Sequence, residues 1–233
     1  MEGMKFTERG LTVEFEVDEI LQDTTERTEK LLANPVFRER LERGEYQLIL
    51  GIDSSGRVPT LLLQKIANSF HKTPLRFVSG GGNTRHDDTY SRQEQIGSII
   101  YGIKQDLGES GESEHRVLLV DDVIGKGTSV ADICSELQSR GISYDLVVLG
   151  ATHGHTPDSL ESLEDELNTE IFYPQFDTFP KIYGKKQMSG VQKSSGQGYA
   201  ESYEEQDPAV LAYTRQRICE EAERLIKRMK KQE

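Results

Sequence analysis

The segment of residues 115–133 constrains the fold of this chain more than any other part of it. An apolar run at residues 117–120 leads into two adjacent carboxylates, Asp121 and Asp122, and a loop rich in glycine and hydroxyl groups follows at residues 125–129. Helical apolar periodicity then resumes. The pattern predicts a buried strand, a polar turn and a helix, which is the unit from which α/β proteins are built.

The same segment carries the groups of an anion site. Backbone N–H groups at a helix amino terminus attract phosphate, and glycines let a phosphate approach the backbone closely. The adjacent carboxylates would repel phosphate, but they suit hydroxyl groups or a hard cation such as Mg²⁺. A ligand that combines phosphate, a diol and Mg²⁺ suits both the helix amino terminus and the acidic pair. The alternative is that this segment binds no ligand and is only a strand followed by exposed acids and a glycine turn.

Residues 117–129 resemble the phosphoribosyl-diphosphate (PRPP) binding motif of the type I phosphoribosyltransferases, in which an apolar strand ends in two acidic residues before a short Thr/Gly-rich loop. The resemblance implies that Asp121 and Asp122 face the ribose hydroxyls and help to place a Mg²⁺ ion bound through PRPP. It also implies that the loop holds the 5-phosphate. The loop residues are Gly125, Lys126, Gly127, Thr128 and Ser129.

Two positions of this loop depart from the family pattern. Lys126 stands where a small residue or threonine is common, and it either pairs with the phosphate or points away. Gly125 stands where the 6-oxopurine members carry an acid that acts as a base on the purine ring. Because glycine has no side chain, the resemblance disfavours hypoxanthine and guanine as acceptors.

A second strand–loop–helix unit lies earlier in the chain. A strand at residues 46–50 leads into the loop of residues 51–57, and an amphipathic helix follows. By position the loop resembles the family's pyrophosphate loop, although a plain turn would need only its glycines. The diphosphate-binding residues that this implies are Asp53, Ser54, Ser55, Gly56 and Arg57. The implied catalytic residues are Asp121, Asp122, Arg57 and Arg85. Arg85 directly precedes a polar stretch, residues 86–95, that is placed like the family's flexible catalytic loop, and a solvated surface loop is the alternative for this stretch.

The order of patterns predicts an α/β fold with a doubly wound, mostly parallel sheet flanked by helices and a variable hood or cap segment. Further strands are predicted at residues 11–17, 74–79, 98–103, 144–151 and 171–174. Further helices are predicted at residues 20–32, 36–41, 130–140 and 158–170, and from residue 208 onward. We expect one domain over residues 1–233: an N-terminal cap (about 1–45), a core (about 46–170), and a hood plus C-terminal helix (about 171–233).

Charge and composition narrow the partners. The net charge of −12 opposes a broad nucleic-acid surface, and no apolar run approaches the ~18 residues that span a bilayer. Two cysteines without metal-ligand spacing favour a reduced, cytoplasmic protein. Within this acidic chain, residues 181–193 form a basic segment with four lysines and no carboxylate. This basic segment is either a flexible surface tail or a hood over the acceptor.

The sequence therefore predicts a Mg²⁺-dependent phosphoribosyltransferase that moves the 5-phosphoribosyl group of PRPP to a small nitrogenous acceptor and releases diphosphate. Residues 1–45 suit an oligomer contact as well as a cap, so a homodimer is a further option. The alternative is a non-catalytic PRPP- or nucleotide-sensing protein on the same fold. A hydrolase or phosphorolytic enzyme that uses the same pocket is a third option.

Overall fold

A five-stranded parallel sheet organises the described part of the chain. The computed structural model describes residues 8–53, 56–79, 89–107, 116–125, 127–151, 157–174, 179–183, 185–193, 200–203 and 206–231. The sheet has the order β2-β1-β3-β4-β5, and every neighbouring pair is parallel. Its strands are β1 (Tyr46–Asp53), β2 (Leu75–Ser79), β3 (Arg116–Ile124), β4 (Ser143–Ala151) and β5 (Ile171–Phe172).

Helices connect and cover these strands. They are α1 (Glu8–Leu32), α2 (Pro35–Glu42), α3 (Arg57–Ala67), α4 (Thr89–Leu107), α5 (Thr128–Ser139), α6 (Pro157–Leu167), α7 (Lys186–Ser189) and α8 (Pro208–Met229). A short antiparallel pair, β6 (Val191–Lys193) and β7 (Ala200–Ser202), stands apart from the main sheet. The predicted start of the last helix is confirmed, since the Asp207 side chain accepts a hydrogen bond of 2.8 Å from the Ala209 N–H just ahead of α8.

The sheet has a core on each face. Helices α1, α2, α3 and α8 share one core with residues such as Leu118, and helices α4, α5 and α6 share the other with residues such as Leu119. Both leucines are fully buried, which explains why the strands read as continuous apolar runs rather than as alternating ones. The predicted doubly wound α/β architecture is confirmed.

Two predicted strands are wrong. Residues 11–17 lie in α1, whose buried side chains Val17, Ile20 and Leu21 continue the helical spacing toward the predicted helix at 20–32. Residues 98–103 lie in α4, where Ile96, Ile100 and Ile103 are buried at spacings of four and three. At residues 11–17 an alternating run obscured the helical stripe, and at residues 98–103 a short apolar run did so. Helix α4 also takes in residues 89–95, which had been predicted as part of a polar loop.

A buried carboxylate ties together the amino-terminal ends of the strands. The Asp145 side chain is 1 % exposed and accepts hydrogen bonds from Arg40 (2.8 Å), Arg116 (2.5 Å) and the Tyr46 hydroxyl (2.8 Å). Burial and the negative charge of Asp145 both raise the pKa of Tyr46. Burial opposes the charge on Arg40, but Asp145 and Glu170 outweigh it and raise the pKa of that guanidinium. This network occupies the amino-terminal edge of the sheet and takes no part in the opposite, carboxyl-terminal edge.

No helix in the described ranges is both long and apolar enough to cross a membrane.

Candidate functional site

The two predicted ligand loops lie at the point where the sheet changes direction. From β1 the chain passes through α3 to β2 on one side, whereas β3 lies on the other side of β1 and leads through α5 to β4. Open α/β sheets bind ligands outside the carboxyl ends of the strands at such a switch point. The loops after β1 and β3 are the ones that carry the two predicted anion sites.

Gly56 brings the loop after β1 into contact with Asp121 of β3. A β-carbon at this position would lie 2.4 Å from the Ile52 carbonyl oxygen and 3.1 Å from Asp121 Oδ1. The short distance to the Ile52 carbonyl requires glycine, and the lack of a side chain also lets the backbone of this loop lie against Asp121. The structure therefore brings part of the predicted diphosphate loop against the predicted ribose-facing carboxylates, although the two segments are far apart in the sequence.

The acidic pair lies beyond the last contact between β1 and β3. The ladder between these strands ends at the Gly51–Val120 pair, while β3 continues beside β4 as far as the Ile124–Ala151 pair. Asp121 and Asp122 are thus inside β3 rather than at its end, which corrects the predicted boundary. At this level β1 no longer pairs with β3, and the loop after β1 approaches Asp121 instead.

The two carboxylates differ in environment. Asp122 is 3 % exposed, whereas Asp121 is only half-buried. The Asp122 backbone N–H donates to Asp121 Oδ1 at 2.9 Å, which fixes the orientation of the Asp121 carboxylate. One acid is therefore held in the interior and the other is presented at the mouth of the site.

The predicted 5-phosphate loop ends in a left-handed glycine at the start of α5. Gly127 has φ 74°, and a β-carbon there would lie 2.8 Å from Leu163 Cδ1 on α6. The left-handed conformation favours glycine, and a larger residue would also displace the end of the Leu163 side chain. The Gly127 carbonyl accepts the N–H groups of Val130 and Ala131, which begins the helix. The first turn of α5 carries no acidic side chain, so its amino terminus suits an anion.

Other predicted residues are only partly located. Arg57 is the first residue of α3, and its guanidinium carbon lies 4.4 Å from the centre of the Phe77 ring on β2, a stacking distance. Asp53 ends β1 beside Ser79. The described residues do not include Ser54, Ser55, Arg85 and Lys126, nor do they include the side chains of Asp53, Thr128 and Ser129.

Arg27 is a buried residue near the site that the sequence interpretation missed. Its side chain is fully buried and donates to the Leu149 carbonyl at 3.0 Å, at the carboxyl end of β4. It also donates to the Phe179 carbonyl at 3.2 Å and to Asp23. The signal was present, since an arginine four residues before Leu31 lies on the apolar stripe of α1, where only a partnered charge is tolerated.

The acidic pair has the donor chemistry for magnesium supplied with a ligand. Among the described residues, no group of three or more His, Cys, Asp or Glu side chains is arranged to hold a metal ion by itself. Mg²⁺ is ordinarily bound through one or two carboxylates together with substrate phosphates and water. Asp121 and Asp122 fit that arrangement.

Comparisons with known proteins return phosphoribosyltransferases. An adenine phosphoribosyltransferase structure is 16 % identical over 59 % of this chain and 74 % of its own, with a TM-score of 0.36. The Saccharomyces cerevisiae adenine phosphoribosyltransferase, in complex with an imino-altritol bisphosphate and adenine, is 16 % identical over 61 % of this chain and 81 % of its own, with a TM-score of 0.36. The purine phosphoribosyltransferase of Pyrococcus horikoshii is 14 % identical over 71 % of this chain and 93 % of its own, with a TM-score of 0.32.

No protein family profile and no curated protein sequence matches the chain.

Proposed function

We propose that this protein is a Mg²⁺-dependent phosphoribosyltransferase that transfers the 5-phosphoribosyl group of PRPP to a small nitrogenous acceptor and releases diphosphate. The observation that carries the proposal is the contact between Gly56 and Asp121 at the switch point of the sheet. The contact brings a loop suited to one phosphate group against Asp121 of an acidic pair suited to a diol and cation. The amino terminus of α5, which suits a second phosphate, follows that pair along the chain. PRPP carries these groups in that order.

Each part of the site has a role in this proposal. The N–H groups at the start of α5 and the loop of residues 125–129 bind the 5-phosphate. Asp121 and Asp122 orient the ribose hydroxyls and hold Mg²⁺ together with the diphosphate. Residues 53–57 bind the diphosphate, and Arg57 and Arg85 stabilise its charge as it leaves. Bound Mg²⁺ would neutralise charge on the leaving diphosphate. Because the transition state has oxocarbenium character, placement and electrostatics supply most of the catalysis.

The proposal also covers the class of acceptor. Gly125 has no side chain to act as a base on a 6-oxopurine, so we propose an amino-substituted purine or a pyrimidine instead. Both cysteines, Cys134 and Cys219, are free, in keeping with the proposed cytoplasmic setting. We also propose that the chain forms a single domain and assembles as a homodimer.

An assay of diphosphate release tests the activity directly. Purified protein is incubated with PRPP, Mg²⁺ and, in separate reactions, adenine, orotate, uracil, hypoxanthine and guanine. We expect turnover with a base outside the 6-oxopurine class. Absence of turnover with every base, together with absence of PRPP binding by calorimetry, would refute the proposed function.

Substitution of one carboxylate gives a sharper prediction. We expect Asp121→Asn to lower kcat/KM by roughly 10²–10³-fold, the usual effect of removing one preorganised electrostatic group. The fold should persist, because an asparagine Oδ1 still accepts the Asp122 N–H. Asp165→Asn, on the exposed face of α6, is the matched control and should leave kcat/KM unchanged. Equal rates for the two variants would remove Asp121 from the proposed site.

PRPP binding without turnover would favour the sensing protein instead. Two lysines of the basic segment are already paired in that case, since Lys181 and Lys185 are engaged with Glu19 and Glu16 of α1.

A further inference from the structure

Three acidic side chains on one face of α1 receive the basic segment. Glu16, Glu19 and Asp23 are spaced three and four residues apart, so they line up along the helix. Glu16 accepts the Lys185 ammonium and Glu19 accepts the Lys181 ammonium. Asp23 accepts the Lys181 backbone N–H at 2.8 Å. The contacts match charge and also fix the main chain of the basic segment.

Arg27 continues the same row into the interior. It lies four residues after Asp23, with which it forms an ion pair of 3.0 Å, and it donates to the Leu149 and Phe179 carbonyls. Beside it, Pro180 packs so closely on β4 that a β-carbon at Gly150 would lie 2.7 Å from Pro180 Cδ. The chain entering the basic segment is therefore clamped between α1 and the carboxyl end of β4.

This clamp is next to the candidate site. Residues 121 and 123 of β3 pair with residues 148 and 150 of β4, so Leu149 is level with Asp122. Further along the basic segment, α7 packs against α3, and β6 lies against β1. Strand β1 and helix α3 flank the predicted diphosphate loop. The basic segment thus contacts elements that carry the site: β4 at the level of Asp122, and the pair of β1 and α3.

We propose that Glu16, Glu19, Asp23 and Arg27 are positioning residues that dock the basic segment against α1 and thereby form one wall of the acceptor pocket. The docking is a property of the fold alone, whereas the acceptor pocket rests on the proposed function. Exposed ion pairs are screened by salt, but the buried Arg27 contacts are not. The outer end of the basic segment therefore loosens with ionic strength while residues 179–181 stay fixed.

Hydrogen–deuterium exchange measures the docking without any ligand. The double variant Glu16→Gln/Glu19→Gln should speed amide exchange at residues 185–193 by up to roughly tenfold at low salt. About 0.5 M NaCl should likewise speed amide exchange at these residues in the unmodified protein, and it should cause no further increase in the double variant. Glu29→Gln, which removes an α1 ion pair with Arg228 of α8, is the matched control and should leave these amides unchanged. Unchanged exchange in the double variant would overturn the docking.

The inner end needs a separate variant. Arg27→Lys keeps the charge but cannot reach both carbonyls, so exchange at residues 179–183 should rise. Arg38→Lys is its control, because Arg38 also bonds a carboxylate four residues away, Glu42, and a distant carbonyl, that of Met229. If Arg27→Lys does not fold, the double variant still decides the docking. A folded Arg27→Lys protein with unaltered exchange would eliminate Arg27 from the clamp.

Steady-state kinetics test whether the docked basic segment also forms a wall of the acceptor pocket. With the base used by the unmodified protein, the double variant should raise KM for that base severalfold and leave kcat and the calorimetric affinity for PRPP unchanged. If the double variant lost affinity for the base and for PRPP equally, the basic segment would not form a wall of the acceptor pocket. If the unmodified protein does not bind PRPP, the proposed function fails, while the exchange data still establish or refute the docking.

Discussion

At the scale of single residues, two glycines give opposite predictions for the same substitution. Gly56→Ala places a methyl group 2.4 Å from the Ile52 carbonyl oxygen, so the backbone of the loop must move. We expect a loss of about 1–3 kcal/mol of unfolding free energy, as is typical of overpacking, and at least a tenfold weaker affinity for PRPP, equivalent to about 1.4 kcal/mol. Urea denaturation and calorimetry measure the two effects.

Gly102→Ala is the control for that prediction. The position is inside α4, and a β-carbon there meets nothing within 4 Å. Alanine should therefore stabilise the helix by about 0.5–1 kcal/mol and leave PRPP affinity unchanged. A loss of stability at this position would contradict the packing described for α4.

Cys134 also has a residue-scale consequence. Burial on α5 raises the pKa of its thiol to about 11, against a smaller opposing effect of a hydrogen bond with Tyr144. Since the thiolate is the reactive form, iodoacetamide near pH 8 should modify the half-buried Cys219 well before Cys134. Mass spectrometry of the alkylated peptides measures this order, and rapid labelling of Cys134 in the folded protein would contradict it.

At the scale of elements, predictability followed the strength of the local pattern. Strands β1, β3 and β4 were recognisable because they are buried on both faces, and α8 because Asp207 and Pro208 form a start signal. Helices α1 and α4 were partly read as strands because an alternating run in α1 and a short apolar run in α4 overlie their helical stripes. The two loops of the site were recognisable from their glycines and acids, but the contact of Gly56 with Asp121 depends on strand order, which no local pattern encodes.

The row of acids on α1 predicts a pH dependence. The hydrogen bond and the positive charge of Lys181 lower the pKa of Glu19 from its ordinary value of 4.5, with a smaller contribution from Lys185. A lowered folded-state pKa means that the contribution to stability is present above pH 4.5 and is lost as the pH falls through the folded-state value. Carbon-13 NMR titration of the Glu19 carboxyl should give a pKa below 4.5. Lys181→Met should raise it, whereas Lys227→Met on α8 should not.

At the scale of the whole molecule, stability and ligand binding are placed at opposite edges of the sheet. Asp145 gathers Arg40, Arg116 and Tyr46 at the amino-terminal edge, while the candidate site is at the carboxyl-terminal edge. Asp145→Asn leaves two buried or half-buried arginines without their shared charge. We expect a loss of about 3–5 kcal/mol of unfolding free energy.

The same variant should bind PRPP normally while it remains folded. Chemical denaturation gives the loss of stability, and calorimetry at a temperature well below the unfolding transition gives the affinity. Asp165→Asn serves again as the exposed control. Weakened PRPP binding by a fully folded Asp145→Asn protein would show that the two edges are coupled.

The position of β1 has a consequence for how the chain is made. This strand is hydrogen-bonded to β2 on one side and to β3 on the other, but β3 leaves the ribosome only after α3, β2 and α4 have emerged. During that interval one edge of β1 is open to other chains. Asp121 arrives on the strand that closes this edge, so a nascent chain acquires its acidic pair and loses its exposed edge in the same step.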